Sequence, residues 1–381
     1  MASVVSDAAD PDPSRTSRSR PARRPQLLRS TRTLLAVLSA LSVVGLVVTG
    51  AAPGVGTAAS AAPMWPVPQP YPVTSDPAEP LADLPPGSEY VALGDSYSAA
   101  YGLRPLTGLP TTACVQSARD YPHRLAARFG LALTDVTCAG ATSTDVVSGH
   151  QFAGVPPQIE ALSTRTRLVT LTIGGNDADL FGTAASCLAL SAHGPVFSGR
   201  DAPSCASSLV RDGVDQLGVT IQSRVALGVA DTLAAVRRAA PNAVVVFLGY
   251  PAIFPDAEHT PAKGCFRSAL DLGSLTGSFP SDTFPFTDRD VAYLHDVQEQ
   301  LNEVSRTAAD AAGVRFVDVL ADTAGHSACA ARDDRYVAGV TLTGTGDLRR
   351  IDLEAGALHP NGRGVAYLTD RLATVIGALA G

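Results

Sequence analysis

The sequence predicts an α/β fold in which a parallel sheet is covered by helices on both faces. Short apolar, β-branched runs alternate along the chain with longer segments of helical periodicity. The runs are apolar at nearly every position rather than at every second one, which is typical of strands buried on both faces. No internal repeat accompanies the alternation. One three-layer α/β/α domain accounts for this pattern.

The elements follow one another in a regular order. Strands are predicted at Tyr90–Leu93, Leu131–Val136 (the weakest pattern), Leu168–Ile173, Val244–Leu248 and Val314–Val317. Helices are predicted at Tyr121–Phe129, Val225–Ala240, Asp290–Ala312 and Gly362–Leu379. Two segments rich in Gly, Pro and Ser, 181–218 and 251–288, do not fit the alternation. Because they follow the third and fourth strands, we expect them to form long loops over the carboxyl edge of the sheet, where open α/β sheets bind ligands.

The first 61 residues have the layout of a secretory signal peptide. Seven arginines between Arg15 and Arg32 precede the apolar run Leu34–Val48, and Ala59-Ser60-Ala61 offers a cleavage site of the A-x-A type. The alternative is a permanent membrane anchor, because an apolar run of roughly 15–19 residues is close to the length that spans a bilayer. Residues 62–87 are rich in proline and predict a spacer, and residues 88–381 form the globular domain.

Composition excludes several classes of protein. Hydrophobic residues make up 45% of the chain and charged residues only 17%, which excludes a disordered protein. The formal net charge is −7, and removing residues 1–61, with seven Arg and three Asp, makes it −7 − 4 = −11. An excess of negative charge argues against binding nucleic acid or anionic lipid surfaces by charge. We therefore expect an exported monomer that does not remain inserted in the membrane after signal cleavage.

Two short motifs follow predicted strands directly. Gly94-Asp95-Ser96 lies after the first strand, where a serine can be either a nucleophile at the sheet edge or merely the N-cap of the next helix. Gly174-Gly175-Asn176-Asp177 follows the third strand. It is either an ordinary turn or a turn that directs the Asn176 amide toward the same edge, where it could stabilise an oxyanion.

A third motif, His359-Pro360-Asn361-Gly362, opens the last predicted helix. Of the seven histidines, His359 alone lies at a loop-to-helix junction beside a proline, where a late loop can return to the sheet edge. A single loop histidine is more often inert than catalytic. Its value as a candidate base depends on the other two motifs.

The three motifs together, in this order and spacing, resemble the sequence blocks of the SGNH (GDSL) hydrolase superfamily, and more closely its secreted actinobacterial esterase/lipase branch. A fourth block, a glycine after the second strand, is matched by Gly140 in the run TCAGATSTDV. The resemblance covers residues 88–381 and implies a flavodoxin-like, doubly wound sheet of five parallel strands. It also implies that Ser96 is the nucleophile and His359 the general base. The Ser96 and Gly140 N–H groups and the Asn176 side chain would then form the oxyanion hole.

The chain departs from the superfamily pattern at one position. The usual triad aspartate lies three residues before the histidine, and here that residue is Gly356. Some members of the secreted branch use a main-chain carbonyl to orient the histidine, so the resemblance favours the Gly356 C=O. Asp352 and Glu354 are nearby alternatives without the family spacing. The sequence leaves this choice open.

The six cysteines are expected to form disulfides in an exported protein. The resemblance implies pairing in sequence order: Cys114–Cys138, Cys187–Cys205 and Cys265–Cys329. In that pairing each bridge would brace a loop around the cleft rather than the sheet. Buried free thiols are the alternative.

The sequence carries no H-E-x-x-H, P-loop or G-x-G-x-x-G motif, so we expect no metal or organic cofactor. The resemblance implies a secreted serine esterase or lipase that acts on small-molecule or lipid esters through an acyl-enzyme. Two alternatives remain: a carbohydrate O-deacetylase on the same scaffold, and a non-catalytic surface or carbohydrate-binding module.

Overall fold

A computed structural model describes residues 84–198, 202–344 and 351–379. This part of the chain contains nine strands: β1 Glu89–Ala92, β2 Ala132–Asp135, β3 Leu168–Leu171, β4 Val210–Arg211, β5 Val214–Asp215, β6 Val244–Leu248, β7 Arg315–Val317, β8 Leu342–Gly344 and β9 Ile351–Leu353. Five of them form one parallel sheet in the order β2-β1-β3-β6-β7. Counting only these five, the order is 2-1-3-4-5, which confirms the predicted flavodoxin-like sheet. The weakest predicted strand, β2, is one of them.

The same residues contain nine α-helices: α1 Tyr121–Phe129, α2 Ser143–Val147, α3 Leu180–Ser186, α4 Ala206–Leu209, α5 Gln216–Thr220, α6 Ala226–Ala239, α7 Asp288–Ala311, α8 Leu320–Thr323 and α9 Gly362–Leu379. All four predicted helices are present. A π-helical turn, Ile221–Val225, joins α5 to α6. Helical structure therefore starts nine residues before the predicted Val225.

Alternate residues of the sheet strands pack into two separate cores. In β6, Val245 and Phe247 join the core that contains side chains of α6 and α7. Val246 and Leu248 join the opposite core, which contains side chains of α1 and α9. Burying an aliphatic or aromatic side chain in this way stabilises the fold by about 1.5–3 kcal/mol. Apolar residues at successive strand positions are thus explained by burial on both faces.

The helical run Gln216–Ala239 is long and apolar enough to cross a membrane by length and composition alone, with a mean hydropathy of 1.2. Three of its side chains, Ile221, Val225 and Val229, are fully buried in the core beneath the sheet. The run is therefore a core element of the α/β domain.

Short polar side chains begin the main helices. The Asp120 carboxylate accepts the His123 N–H at 2.8 Å at the start of α1. Thr142 and Asp145 form a reciprocal capping box on α2, and the Thr287 hydroxyl accepts the Asp290 N–H at the start of α7. Each such cap is worth about 1 kcal/mol.

The two long segments pack over a third core of their own. Phe254, Phe284 and Phe286 lie with ring centroids 4.9–5.7 Å apart at its centre. The segment 181–218 is less irregular than predicted, because it contains most of α3, all of α4 and the β4–β5 hairpin. These elements are only two to seven residues long, so they show no readable periodicity.

Three disulfides join Cys114 to Cys138, Cys187 to Cys205 and Cys265 to Cys329, the same pairs that the resemblance implied. The first ties the segment after Ser96 to the turn that holds Gly140. The other two brace the long segments. The predicted signal peptide, residues 1–61, and most of the predicted spacer, residues 62–87, lie outside the described residues.

Candidate active site

The three sequence motifs meet at the carboxyl edge of the sheet. The Gly94–Ser96 turn follows β1, the Gly174–Asp177 turn follows β3, and His359 lies in the loop before α9. Gly94 has a φ of +124°, and a Cβ atom at this position would collide with the Thr172 carbonyl oxygen of the neighbouring chain segment. Only glycine fits there, so the first motif requires glycine for close packing against the end of β3.

Ser96 and His359 are in direct contact. His359 Nε2 lies 2.8 Å from Ser96 Oγ, and the two residues are only 4% and 8% exposed respectively. His359 Nδ1 lies 2.8 Å from the main-chain oxygen of Ala357. Because a carbonyl oxygen can only accept, Nδ1 carries the proton and the Nε2 lone pair faces the serine hydroxyl. This is the tautomer that a general base needs.

The carbonyl at Nδ1 differs from the predicted one by a single residue. The Gly356 oxygen instead accepts the His359 backbone N–H at 3.1 Å, which closes a turn. Gly356 and Leu358 both have positive φ values, +92° and +59°, and this tight path turns the next carbonyl, that of Ala357, toward the ring. The prediction that Gly356 holds the histidine is therefore wrong in the structure, whereas a main-chain carbonyl in this role is present.

Asp352 and Glu354 are exposed and make no contact with the buried His359. We expect Asp352→Asn and Glu354→Gln each to leave kcat within about twofold of wild type, because neither carboxylate orients the imidazole. Loss of a true triad aspartate costs about 10⁴ in kcat. Steady-state assays of the two single variants check this, and a drop near 10⁴ in either would identify that residue as the acid.

Aromatic side chains enclose the imidazole of His359. The rings of Tyr97, Tyr101 and Phe181 have centroids 4.9, 5.1 and 5.4 Å from it. The Tyr97 hydroxyl also donates to the Leu358 carbonyl at 2.7 Å, which fixes the histidine loop. The enclosure excludes water and disfavours the charged ring, so burial lowers the pKa of His359 to about 4.

The pH dependence of kcat/KM follows from this lowered pKa. His359 is neutral, and able to accept the serine proton, at every pH above about 4. We expect kcat/KM to fall on the acid side with a midpoint near pH 4 rather than near 6.5, the value of a free imidazole. A profile from pH 3.5 to 8 tests this, and a midpoint at 6.5 or above would contradict it. Asp95→Asn is the control, because it removes the buried carboxyl group next to Ser96.

The three donors predicted to form an oxyanion hole are available for hydrogen bonding. Among the described residues, the backbone N–H groups of Ser96 and Gly140 have no hydrogen-bond acceptor. The Asn176 side-chain amide donates one hydrogen to the Ala141 carbonyl at 2.9 Å, which leaves its second hydrogen free. Asp177 accepts the Ser143 N–H at 3.1 Å and so holds the Asn176 turn against the start of α2. This arrangement can form an oxyanion hole.

Asn176→Ala is expected to lower kcat by about 10²–10³, the usual effect of removing one oxyanion donor. Asn242→Ala is a matched control, because that exposed amide also donates to a carbonyl, Thr164 O at 2.8 Å, but lies outside the site. Asn176 could instead serve only to hold Ala141. In that case the variant would lose thermal stability with kcat unchanged.

A tyrosine outside the motifs links two of the motif turns. The Tyr250 hydroxyl donates to the Asp95 carboxylate at 2.5 Å and accepts the Gly175 N–H at 2.9 Å. Asp95 is 1% exposed, and burial raises its pKa to about 7. The side chain of Gln158 also holds the Ser96 turn, because it hydrogen-bonds to both the N–H and the C=O of Gly94, at 2.7 and 3.0 Å. These contacts fix the Ser96 turn relative to the Asn176 turn.

An apolar cleft opens beside Ser96 and His359. The space in it that can hold the centre of a water-sized sphere is about 70 Å³. Its apolar walls include Leu180 and Ala184 of α3, Ile253 and Phe254 after β6, and Leu294 and Leu301 of α7. Clefts of this kind bind the apolar part of a small ligand and leave its polar part to a few fixed groups.

Comparison with known proteins agrees with this geometry. The model of the GDSL-like Lipase/Acylhydrolase family matches residues 92–367. Lipase 2 of Streptomyces coelicolor is 36% identical over 256 residues, which are 67% of this chain and 78% of that protein. The chain belongs to the GDSL-like lipase/acylhydrolase family. As an acylhydrolase, it is an ester-hydrolysing enzyme.

Two crystal structures resemble this GDSL-like acylhydrolase in fold. They are the phospholipase A1 of Streptomyces albidoflavus NA297 and the extracellular lipase of Streptomyces rimosus. Each is 25% identical, with a TM-score of 0.53, and the match covers 76% of this chain and 99% of that one. An esterase of Streptomyces scabiei is 28% identical over 294 residues, 72% of this chain and 81% of that protein.

The structure brings Ser96, Gly140, Asn176 and His359 of the acylhydrolase to one edge of the sheet. Sequence reasoning missed Ala357, Tyr250 and Gln158. Tyr250 had a readable signal, because it follows a predicted strand just as the first two motifs do. Gln158 had none, since its role depends only on the path of a long connection.

Proposed function

We propose that this acylhydrolase is an exported serine esterase or lipase whose substrates are esters of medium to long acyl chains. Ser96 Oγ attacks the ester carbonyl while His359 Nε2 takes its proton. The Ser96 and Gly140 amides and the Asn176 side chain hold the oxyanion. The alcohol leaves with the proton from His359, and a water activated by His359 then hydrolyses the acyl-serine.

The observation that supports this mechanism is the 2.8 Å contact between His359 Nε2 and Ser96 Oγ at the mouth of the apolar cleft. The carbonyl of Ala357 holds the ring in the required tautomer without a carboxylate. It is an uncharged partner and offers the imidazolium a fixed dipole. A non-catalytic binding module would need neither the contact nor the tautomer.

The lining of the cleft supports the choice of acyl chains. Apolar side chains dominate its walls below the reacting groups. Each methylene buried there contributes about 0.8 kcal/mol, which corresponds to about fourfold in kcat/KM. An acetyl group would leave most of the cleft without contacts, which disfavours the carbohydrate O-deacetylase alternative.

The disulfides of the chain support export from the cytosol. Three disulfides form and persist in oxidising compartments outside the cytosol. The signal-peptide pattern of residues 1–61 is a second feature that supports export. With residues 1–61 removed, the protein would be released as a monomer.

A series of p-nitrophenyl esters from acetyl to decanoyl tests the substrate, with an acetylated glycan and a phospholipid beside it. We expect kcat/KM to rise about fourfold per methylene until the cleft is filled. Preference for acetyl esters or for the glycan would contradict the acyl-chain proposal. Labelling by a serine-reactive fluorophosphonate tests the enzyme class independently, because a binding module would not react.

A further inference from the structure

A histidine and two aspartates form a cluster on the opposite side of β1 from β3, between the start of α1 and the end of β2. Asp120 is the N-cap of α1, His123 lies in its first turn, and Asp135 ends β2. Each offers one ligand atom, and these atoms lie within 4.8 Å of one another. His123 Nδ1 lies 2.7 Å from Asp120 Oδ1 and 3.4 Å from Asp135 Oδ2. The reaction proposed for Ser96 and His359 uses none of the three.

Two buried carboxylate oxygens of the cluster have no hydrogen-bond partner among the described residues. They are Asp120 Oδ2 and Asp135 Oδ2. The side chains are 0% and 5% exposed, so water does not readily replace the missing partners. The other oxygen of Asp135 is held by Gln116 Nε2 at 2.8 Å and by the Thr137 hydroxyl at 2.7 Å. Asp135 is thus fixed with its unpaired oxygen toward His123.

With all three groups ionised, the charges of the cluster do not balance. Two carboxylates and one imidazolium leave a net charge of −1 at a buried site, which is costly. A divalent cation with a neutral imidazole and two carboxylates would make the site neutral, and it would give the unpaired oxygens a partner.

We propose that Asp120, His123 and Asp135 form a structural site for a divalent cation with a preference for mixed nitrogen and oxygen ligands, for which Zn²⁺ is the best match. Zn²⁺ at about 2.0–2.1 Å from its ligands places tetrahedral neighbours about 3.3 Å apart. The 3.4 Å between His123 Nδ1 and Asp135 Oδ2 matches this separation, whereas the 2.7 Å between His123 Nδ1 and Asp120 Oδ1 lengthens when the cation replaces the proton. Binding displaces the Nδ1 proton of His123 to solvent. The partly exposed side of His123 leaves room for a water as fourth ligand.

The site would connect α1 to β2 near the Cys114–Cys138 disulfide and the Gly140 turn. Its role would be to stabilise this side of the fold, not to take part in ester hydrolysis. No sequence motif predicts it, because two ligands come from a helix start and the third from a strand end 12 residues later.

The chain contains a matched control for the experiment. Asp256 and His259 repeat the same local geometry, with Nδ1 2.7 Å from Oδ1 and the His259 N–H 2.7 Å from the same oxygen. Among the described residues no third ligand joins that pair. If the histidine–aspartate motif alone bound cations, both pairs would do so.

The test is a calorimetric titration of Zn²⁺ into the purified, chelator-treated protein without a polyhistidine tag, together with its thermal midpoint. We expect one bound Zn²⁺ per chain and a raised midpoint. His123→Asn should weaken binding at least about 100-fold, since loss of even an outer partner of a metal ligand costs about 10–100-fold. His259→Asn should bind as wild type does.

Asp135→Asn gives a second variant if His123→Asn does not fold, because its amide keeps the Oδ1 acceptor for Gln116 and Thr137. The proposal is overturned if wild type binds no stoichiometric Zn²⁺. It is equally overturned if the cluster variant binds as wild type does, or if His259→Asn loses binding as well. None of these readouts involves an ester substrate, so they are independent of the proposed hydrolysis.

Discussion

Ser96→Ala is expected to lower esterase turnover by about 10⁶ and to leave the fold intact. The size follows from loss of a serine nucleophile in a serine protease, where the remaining groups cannot replace the covalent step. Among the described residues, His359 is the only hydrogen-bond partner of the Ser96 hydroxyl, so removal of the hydroxyl leaves few groups unpaired. Turnover of a p-nitrophenyl ester and the thermal midpoint measure the two effects separately.

Ser98→Ala is the matched control for this variant. Ser98 lies two residues further along the same turn, and its hydroxyl bonds the buried Tyr121 hydroxyl at 2.7 Å. This change should lower stability by about 1–3 kcal/mol, because it leaves a buried hydroxyl without its partner, and should keep most of the turnover. If Ser96→Ala retained more than a tenth of wild-type turnover, Ser96 would not be the nucleophile.

His359→Ala is expected to cost a similar factor, about 10⁶, because serine and base act as one unit. The double variant Ser96→Ala, His359→Ala should therefore be no slower than either single variant. Additive losses in the double variant would show that the two residues do not act together. The measurement is kcat for the two single variants and the double variant at one pH.

His150→Ala serves as the control for the histidine. The His150 ring also places Nδ1 on a main-chain oxygen, that of Val155 at 2.8 Å, but in the part of the chain that the structure describes no serine hydroxyl is hydrogen-bonded to the ring. Its replacement should leave kcat unchanged. A large loss in this variant would point to a general effect of removing ring–carbonyl contacts rather than to a base at His359.

Strand–helix alternation was sufficient to predict the sheet because its central strands are buried on both faces. Val244–Leu248 is apolar throughout and Leu168–Leu171 is apolar except for Thr170, so their signal does not depend on register. The irregular segments were predictable only as loops. Residues of α3 and α4 pack in the core that contains Phe254, Phe284 and Phe286, which are distant in sequence from both helices.

Site residues were predictable where a sequence motif places the side chain. They were not predictable where the path of the backbone decides which group faces the site. Ser96, Asn176 and His359 each follow a turn with its own sequence signal. The carbonyl that holds His359 is a different case, because every residue has one and only φ and ψ decide which of them faces the ring. Positive φ values at Gly356 and Leu358 move that role to Ala357.

The Tyr250 hydroxyl has a consequence for how this site can change over evolution. This one oxygen atom donates a hydrogen bond to the carboxylate of the first motif and accepts one from a backbone N–H of the second. Loss of the hydroxyl therefore affects both motifs together. Phenylalanine at position 250 would remove the partner of Asp95 Oδ2 and of the Gly175 N–H at once. Relatives that lack the hydroxyl should therefore carry a compensating change at the position of Asp95. A chain that retained all four sequence blocks but lacked that compensation would look intact to a motif search and still be a poor enzyme.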